Sequence, residues 1–192
     1  MSARHRLTGH ERLYGSTAAP GDAMVLDFWR WAFSDLCADH VRDVFAEWMV
    51  AKLLGIPLAV RDDRNEYDFV APNGVRIEVK ASAFLQGWPQ SKRLSSVVFS
   101  GLKSRQYAAT PYRADMYVFC VQVEKDPERW DALDLSQWRF YTVTGPEIAQ
   151  LGQKHLSLGT LRKMCEGMRA GEFRPQAMRL IAALGKVYNA QV

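Results

Sequence analysis

The sequence predicts an α/β domain: a mixed β-sheet of about four to five strands flanked by helices. Two helical stretches come before a run of strands. One later stretch, MYVFCVQV, is almost wholly apolar and suits a strand covered on both faces. Another, VRIEVKAS, alternates strictly between apolar and polar residues, as a strand with one buried face should.

Residues 1–20 are polar, with scattered Arg and His, and read as a flexible N-terminal arm ending at Pro20-Gly21. Residues 21–192 read as one domain, with a core over about 39–145 and a helical C-terminal extension over 146–192. Asp22 is the expected N-cap of a first helix, in which Phe28, Trp31 and Leu36 recur at helical spacing. A second helix is expected over 39–54 and stops at Gly55-Ile56-Pro57. Strands follow over 67–71 and 75–82, joined by Pro72-Asn73-Gly74. Residues 86–93 read as a loop and 101–109 as a helix. Strands are expected over 116–123 and 139–143. Thr144 and Glu147, with Pro146 between them, form a capping-box pattern for the next helix. Residues 157–188 read as helical with a break near Pro175.

The chain has 192 residues and a formal net charge of +4, a mild excess that permits a polyanionic partner without requiring one. No apolar run approaches the roughly 18 residues a membrane span needs, so no membrane partner is expected. The N-terminus lacks an apolar signal region. Cys37, Cys120 and Cys165 form no CxxC pair, and the odd count fits a reducing cytoplasm. The four His residues show no metal-ligand spacing, and no Gly-rich phosphate loop is present. The Trp residues mostly occupy apolar periodic positions, which predicts that they pack in the core.

The chemistry concentrates on strand 75–82. Alternation puts Glu78 and Lys80 on one face, roughly 7 Å apart along the strand. If Pro72-Asn73-Gly74 is a three-residue turn with Gly left-handed, Ala71 pairs with Val75 and Asp68 with Glu78. Opposed side chains have Cβ atoms about 4.5–5.5 Å apart, so two carboxylates there repel unless a cation intervenes. In that register Lys80 faces Glu66. A two-residue turn would put Asp68 on the other face. Glu47 has Val44, Val50, Ala51 and Leu54 as its helical neighbours. A carboxylate in that apolar stripe needs a cation, and Arg42, Lys80 or a shared metal could supply it.

A helix Glu47, then Asp68, then Glu78-Val79-Lys80 resembles the PD-(D/E)XK, or restriction-endonuclease-like, phosphodiesterase superfamily. Asp68 follows Glu47 by 21 residues and precedes Glu78 by 10. FWRWAFSDL, SAFLQGW, ADMYVFCV and QWRFYTV are similar to a bacterial branch of it. Tyr67 stands where the motif usually has proline. The resemblance implies an αβββαβ core and Mg²⁺-dependent cleavage of DNA, with Mn²⁺ able to substitute. Asp68, Glu78 and the Val79 main-chain carbonyl would hold metal. Lys80 would activate water or stabilise charge, and Glu47 would complete the shell or orient Lys80. Ser82 and Gln86 are secondary candidates for holding phosphate or orienting water. Lys92, Arg93, Lys103, Arg105 and Gln106 are candidates for gripping the nucleic-acid backbone. A homodimer would suit cutting both strands. The alternative is an inactive nucleic-acid-binding or protein-interaction module on the same fold.

Overall fold

The computed structural model describes residues 6–16, 22–88, 90, 94–102 and 112–189. The expected strand–helix order holds over most of them. Helix α1 spans Val25–Phe33. Its N-cap is Met24 rather than Asp22, and the Asp27 carboxylate accepts the Met24 N–H at 3.0 Å. Residues 6–16 run beside its start: Val25 N–H donates to Glu11 O at 2.9 Å and Leu26 N–H to Gly9 O at 2.9 Å. Helix α2 spans Asp39–Leu54, as expected, and stops at left-handed Gly55 (φ 73°).

Strand β1 is only Phe69–Val70, shorter than the predicted 67–71, and β2 is Arg76–Ala83. Between them Gly74 adopts φ 87°, and Ala71 N–H donates to Val75 O at 2.9 Å. The turn is therefore the three-residue type, and the ladder pairs Phe69 with Ile77 and Val70 with Arg76. A short β3 (Val98–Phe99) pairs with β6 (Leu156–Ser157) in a separate two-stranded sheet that no sequence pattern announced. Gly101 and Leu102 are not helical; the rest of the helix expected over 101–109 lies outside the described residues, as do Lys92, Arg93, Lys103, Arg105 and Gln106.

Strand β4 (Met116–Gln122) is buried throughout, as its continuous apolar run requires. Strand β5 (Trp138–Thr144) leads into α3 (Gly145–Leu151). There Thr144 N–H donates to Glu147 Oε2 at 2.8 Å, the reciprocal cap expected from the sequence. The main sheet has the order β1-β2-β4-β5. It is mixed, because β2 and β4 are parallel while the other two pairings are antiparallel.

The C-terminal segment breaks earlier than Pro175. Helix α4 spans Leu158–Met164 and α5 spans Ala170–Asn189, with Pro175 inside α5. The break is made by Met168, which exchanges two backbone hydrogen bonds with Phe140 on the open edge of β5 (2.8 and 2.9 Å). Pro175 lies in the second turn of α5, and the carbonyl its ring crowds is that of Gly171.

Two apolar layers cover the sheet. Ile77, Val79, Met116, Val118 and Phe140 pack with α2 and α5. Tyr117, Phe119, Val121, Tyr141 and Val143 pack on the other side, with residues of β3, α3 and α4. Burial of the tryptophans departs from expectation. Trp138 is fully buried, whereas Trp31 is 84% exposed, Trp48 49% and Trp88 53%. In α1 no residue is fully buried, so the helical spacing of Phe28 and Trp31 marks an exposed aromatic face rather than a core face. No described helix is long and apolar enough to cross a membrane.

Candidate functional site

The site forms where β1 ends and β2 continues. Alternation along β2 sends Ile77 and Val79 into the apolar layer under α2 and turns Glu78 and Lys80 the other way. Glu78 lies beside Tyr117 in the β4 register, and Lys80 beside Phe119. Lys80 Nζ meets Glu78 Oε1 at 2.5 Å, with both side chains largely buried. Lys80 thus pairs with its own strand neighbour and not with Glu66, which is held by Arg113.

Asp68 sits one step beyond the last ladder pair. Its N–H donates to Ile77 O at 3.0 Å, and its Oδ2 accepts the Val79 N–H at 2.6 Å. The carboxylate thus takes over a donor that the shortened β1 would otherwise leave unmet. Peptide groups in a strand alternate in direction, and Val79 N–H and C=O both point past the end of β1, toward Asp68. Asp68 and Glu78 line one small cleft with Glu66, Gly101, Arg113 and Tyr117.

The electrostatics follow from crowding. Burial, then the nearby negative charges of Glu78 and Glu47, push the Asp68 carboxyl up to about 8, against the opposing pull of the Val79 N–H and Lys80. Burial also raises Glu78, despite Lys80 at contact distance. Burial works against the charge on Lys80, but Glu78 and Asp68 outweigh it, so the ammonium holds its proton more tightly than usual. The two partners of this ion pair therefore move together. Lys80 feels Glu78, Asp68 and Asp43 together, while burial is the largest influence on both acids.

Glu47 occupies the apolar stripe expected of it, but its cation is neither Arg42 nor Lys80. Arg61 grips it with two hydrogen bonds, Nε to Oε2 at 2.7 Å and Nη2 to Oε1 at 2.8 Å. Both Glu47 oxygens accept from Arg61. Arg61 lies in the loop before β1, where sequence spacing gave no signal. Arg42 pairs instead with Asp39 and with the Gln86 side-chain oxygen.

Asp43 is the other residue the sequence reading passed over. It sits one helical turn before Glu47 and, although it keeps exposed surface, the packed protein around it raises its carboxyl to about 6, opposed by Arg42 and Lys80. Its i,i+4 spacing to Glu47 was the available signal. Ser82 is buried, and Gln86 is committed to Arg42 and to Ala83 O (2.9 Å). Both line a cleft of about 360 Å³ that also holds Asp43, Lys80 and Trp88.

Among the described residues, no group of three or more His, Cys, Asp or Glu side chains is arranged to hold a metal ion. Two carboxylates are present, and Mg²⁺ binds through one or two, completing its shell with water and substrate phosphate. Asp68 and Glu78, destabilised as anions first by burial, have the chemistry of such a donor pair. No protein-family model matches the chain, and no curated protein matches it.

Proposed function

We propose that the chain is a Mg²⁺-dependent phosphodiesterase that hydrolyses nucleic acid, DNA by its resemblance to the PD-(D/E)XK superfamily, on a restriction-endonuclease-like core. The observation that carries the reading is geometric: Asp68, fixed by the Val79 N–H, and Glu78 line one cleft, with Lys80 Nζ at 2.5 Å from Glu78 Oε1, and burial raises the proton affinity of both carboxyls.

In this reading Asp68, Glu78 and the Val79 carbonyl hold the ion. When bound, the metal supplies Lewis acidity toward the phosphate and acidifies a water molecule. Glu78 fixes the Lys80 ammonium, and Lys80 hydrogen-bonds the attacking water or the charge building on phosphate oxygens. Glu47 acts at a distance: with Arg61 it braces the loop that precedes Asp68. Burial keeps bulk water from screening these charges.

The pairing of Glu78 with Lys80 at 2.5 Å also suits a second reading, an inactive binding module in which that ion pair is structural. Titrating Mn²⁺ into the protein by calorimetry separates the two. The phosphodiesterase reading expects saturable binding, with proton release, that Glu78→Gln abolishes. Absence of binding, or binding unchanged in Glu78→Gln, contradicts it.

A further inference from the structure

Two open clefts adjoin the acid–lysine site, one at Asp68 and the other at Lys80, and each carries an exposed tryptophan. The first, about 660 Å³, includes Glu47, Arg61 and Asp68 in its wall. That volume is within the range of about 300–1,000 Å³ typical of sites for small ligands. Trp48, next in sequence to Glu47, stands in its wall half exposed, with Phe45 packed beside the indole at 5.7 Å between ring centres. Leu58, Val60 and Val70 add apolar surface, and the charges of the cleft are mixed, with Arg6, Lys52 and Arg61 beside Glu47, Asp62 and Asp68, and Arg61 held by Glu47. The second cleft begins at Lys80 and carries Trp88, also half exposed, with Ser95, Ser96 and Ser100.

We infer that this site takes an unpaired nucleic-acid strand, with bases seated against Trp48 on one side of the scissile phosphate and Trp88 on the other. The inference rests on the phosphodiesterase reading for the identity of the site. An aromatic ring left half in water is a poor contributor to the core but a ready platform for a nucleobase, and base stacking is indifferent to sequence. Arg6 and Lys52 of the first cleft suit phosphates of a backbone that follows the bases, and the Ser96 hydroxyl of the second can donate to a phosphate oxygen. In a duplex the faces of internal bases are already stacked on their neighbours, so they are offered to a side chain only after the helix is opened.

Binding is measured without cleavage, in Ca²⁺, by anisotropy of a labelled oligothymidylate and of a blunt duplex of the same length. Single strands are expected to bind more tightly. Trp48→Leu and Trp88→Leu should each weaken that binding about tenfold, Trp48→Phe should restore most of it, and Trp31→Leu, on α1, should change nothing. Equal or tighter binding of the blunt duplex, wild-type binding by both leucine variants, or no binding of either DNA overturns the inference. The two readings fail separately. Strand binding through Trp48 and Trp88 without any Mg²⁺-dependent cutting would remove the phosphodiesterase and leave the strand site. Duplex cutting that ignores both tryptophans would do the reverse.

Discussion

Asp68 Oδ2 accepts the backbone N–H of Val79 at 2.6 Å, so the carboxylate stands in for the next rung of a ladder that β1 is too short to provide. The same bond holds the acid beside Glu78, where burial and like charge push its proton affinity up to about 8. One short strand thus supports both the local backbone and the unfavourable charge pairing at the site.

Stability should fall with rising pH because of Asp68. Unfolded, the group ionises at about 3.9; folded, it does so only at about 8. Its contribution is therefore complete below the unfolded pKa and lost as pH rises through the folded one. Asp68→Asn keeps an oxygen for the Val79 N–H and cannot ionise. Its stability relative to wild type should rise between about pH 4 and pH 8, by about 1–3 kcal/mol. Urea unfolding across that range checks this; parallel pH profiles would contradict it.

Arg61→Ala should cost about 1–3 kcal/mol, because Glu47, with only 14% of its side chain exposed, loses a two-pronged partner. The lower end is favoured by the 46% exposure of Arg61, which screens the pair. Glu47→Gln combined with Arg61→Ala should recover part of the loss in a double-mutant cycle. A cycle with no coupling energy would show that the two do not act as a pair.

Gly74→Ala should destabilise by roughly 1–2 kcal/mol through backbone strain alone, since φ is 87° and the added methyl would meet nothing within 4 Å. Chemical denaturation measures it. A neutral outcome would undercut the three-residue turn and, with it, the register that brings Asp68 to Glu78.

Much of the site was legible because it is local. The Asn73-Gly74 turn, the alternation of β2 and the stripe around Glu47 are short-range patterns, and each constrains direction as well as type. Arg61 was not legible, because a loop residue reaches its partner through a path that sequence spacing does not encode. Asp43 differs: its i,i+4 spacing to Glu47 is readable in the sequence, but that spacing alone does not tell a solvated helix position from one beside a buried site. The break ahead of α5 was misread at Pro175 because Met168's pairing with the edge of β5 is long-range. The small β3–β6 sheet escaped notice because two-residue strands have no detectable period.

Lys80→Met should destabilise the metal-free protein by about 3 kcal/mol, since Glu78 is left buried without its cation. If the acids are metal ligands, the same change should tighten Mn²⁺ binding, because a competing positive charge is gone. A purely structural ion pair predicts the loss of stability with no Mn²⁺ binding before or after.

The most direct measurement is cleavage of labelled single-stranded and duplex DNA in Mg²⁺ or Mn²⁺ by wild type, Asp68→Ala and Lys80→Ala, each first shown to be folded by circular dichroism. The wild-type chain is expected to cut, chelation to stop it, and each substitution to reduce the rate roughly 100-fold or more. Cutting that survives both substitutions, or folded wild-type protein that cuts neither substrate with either metal, would contradict the account.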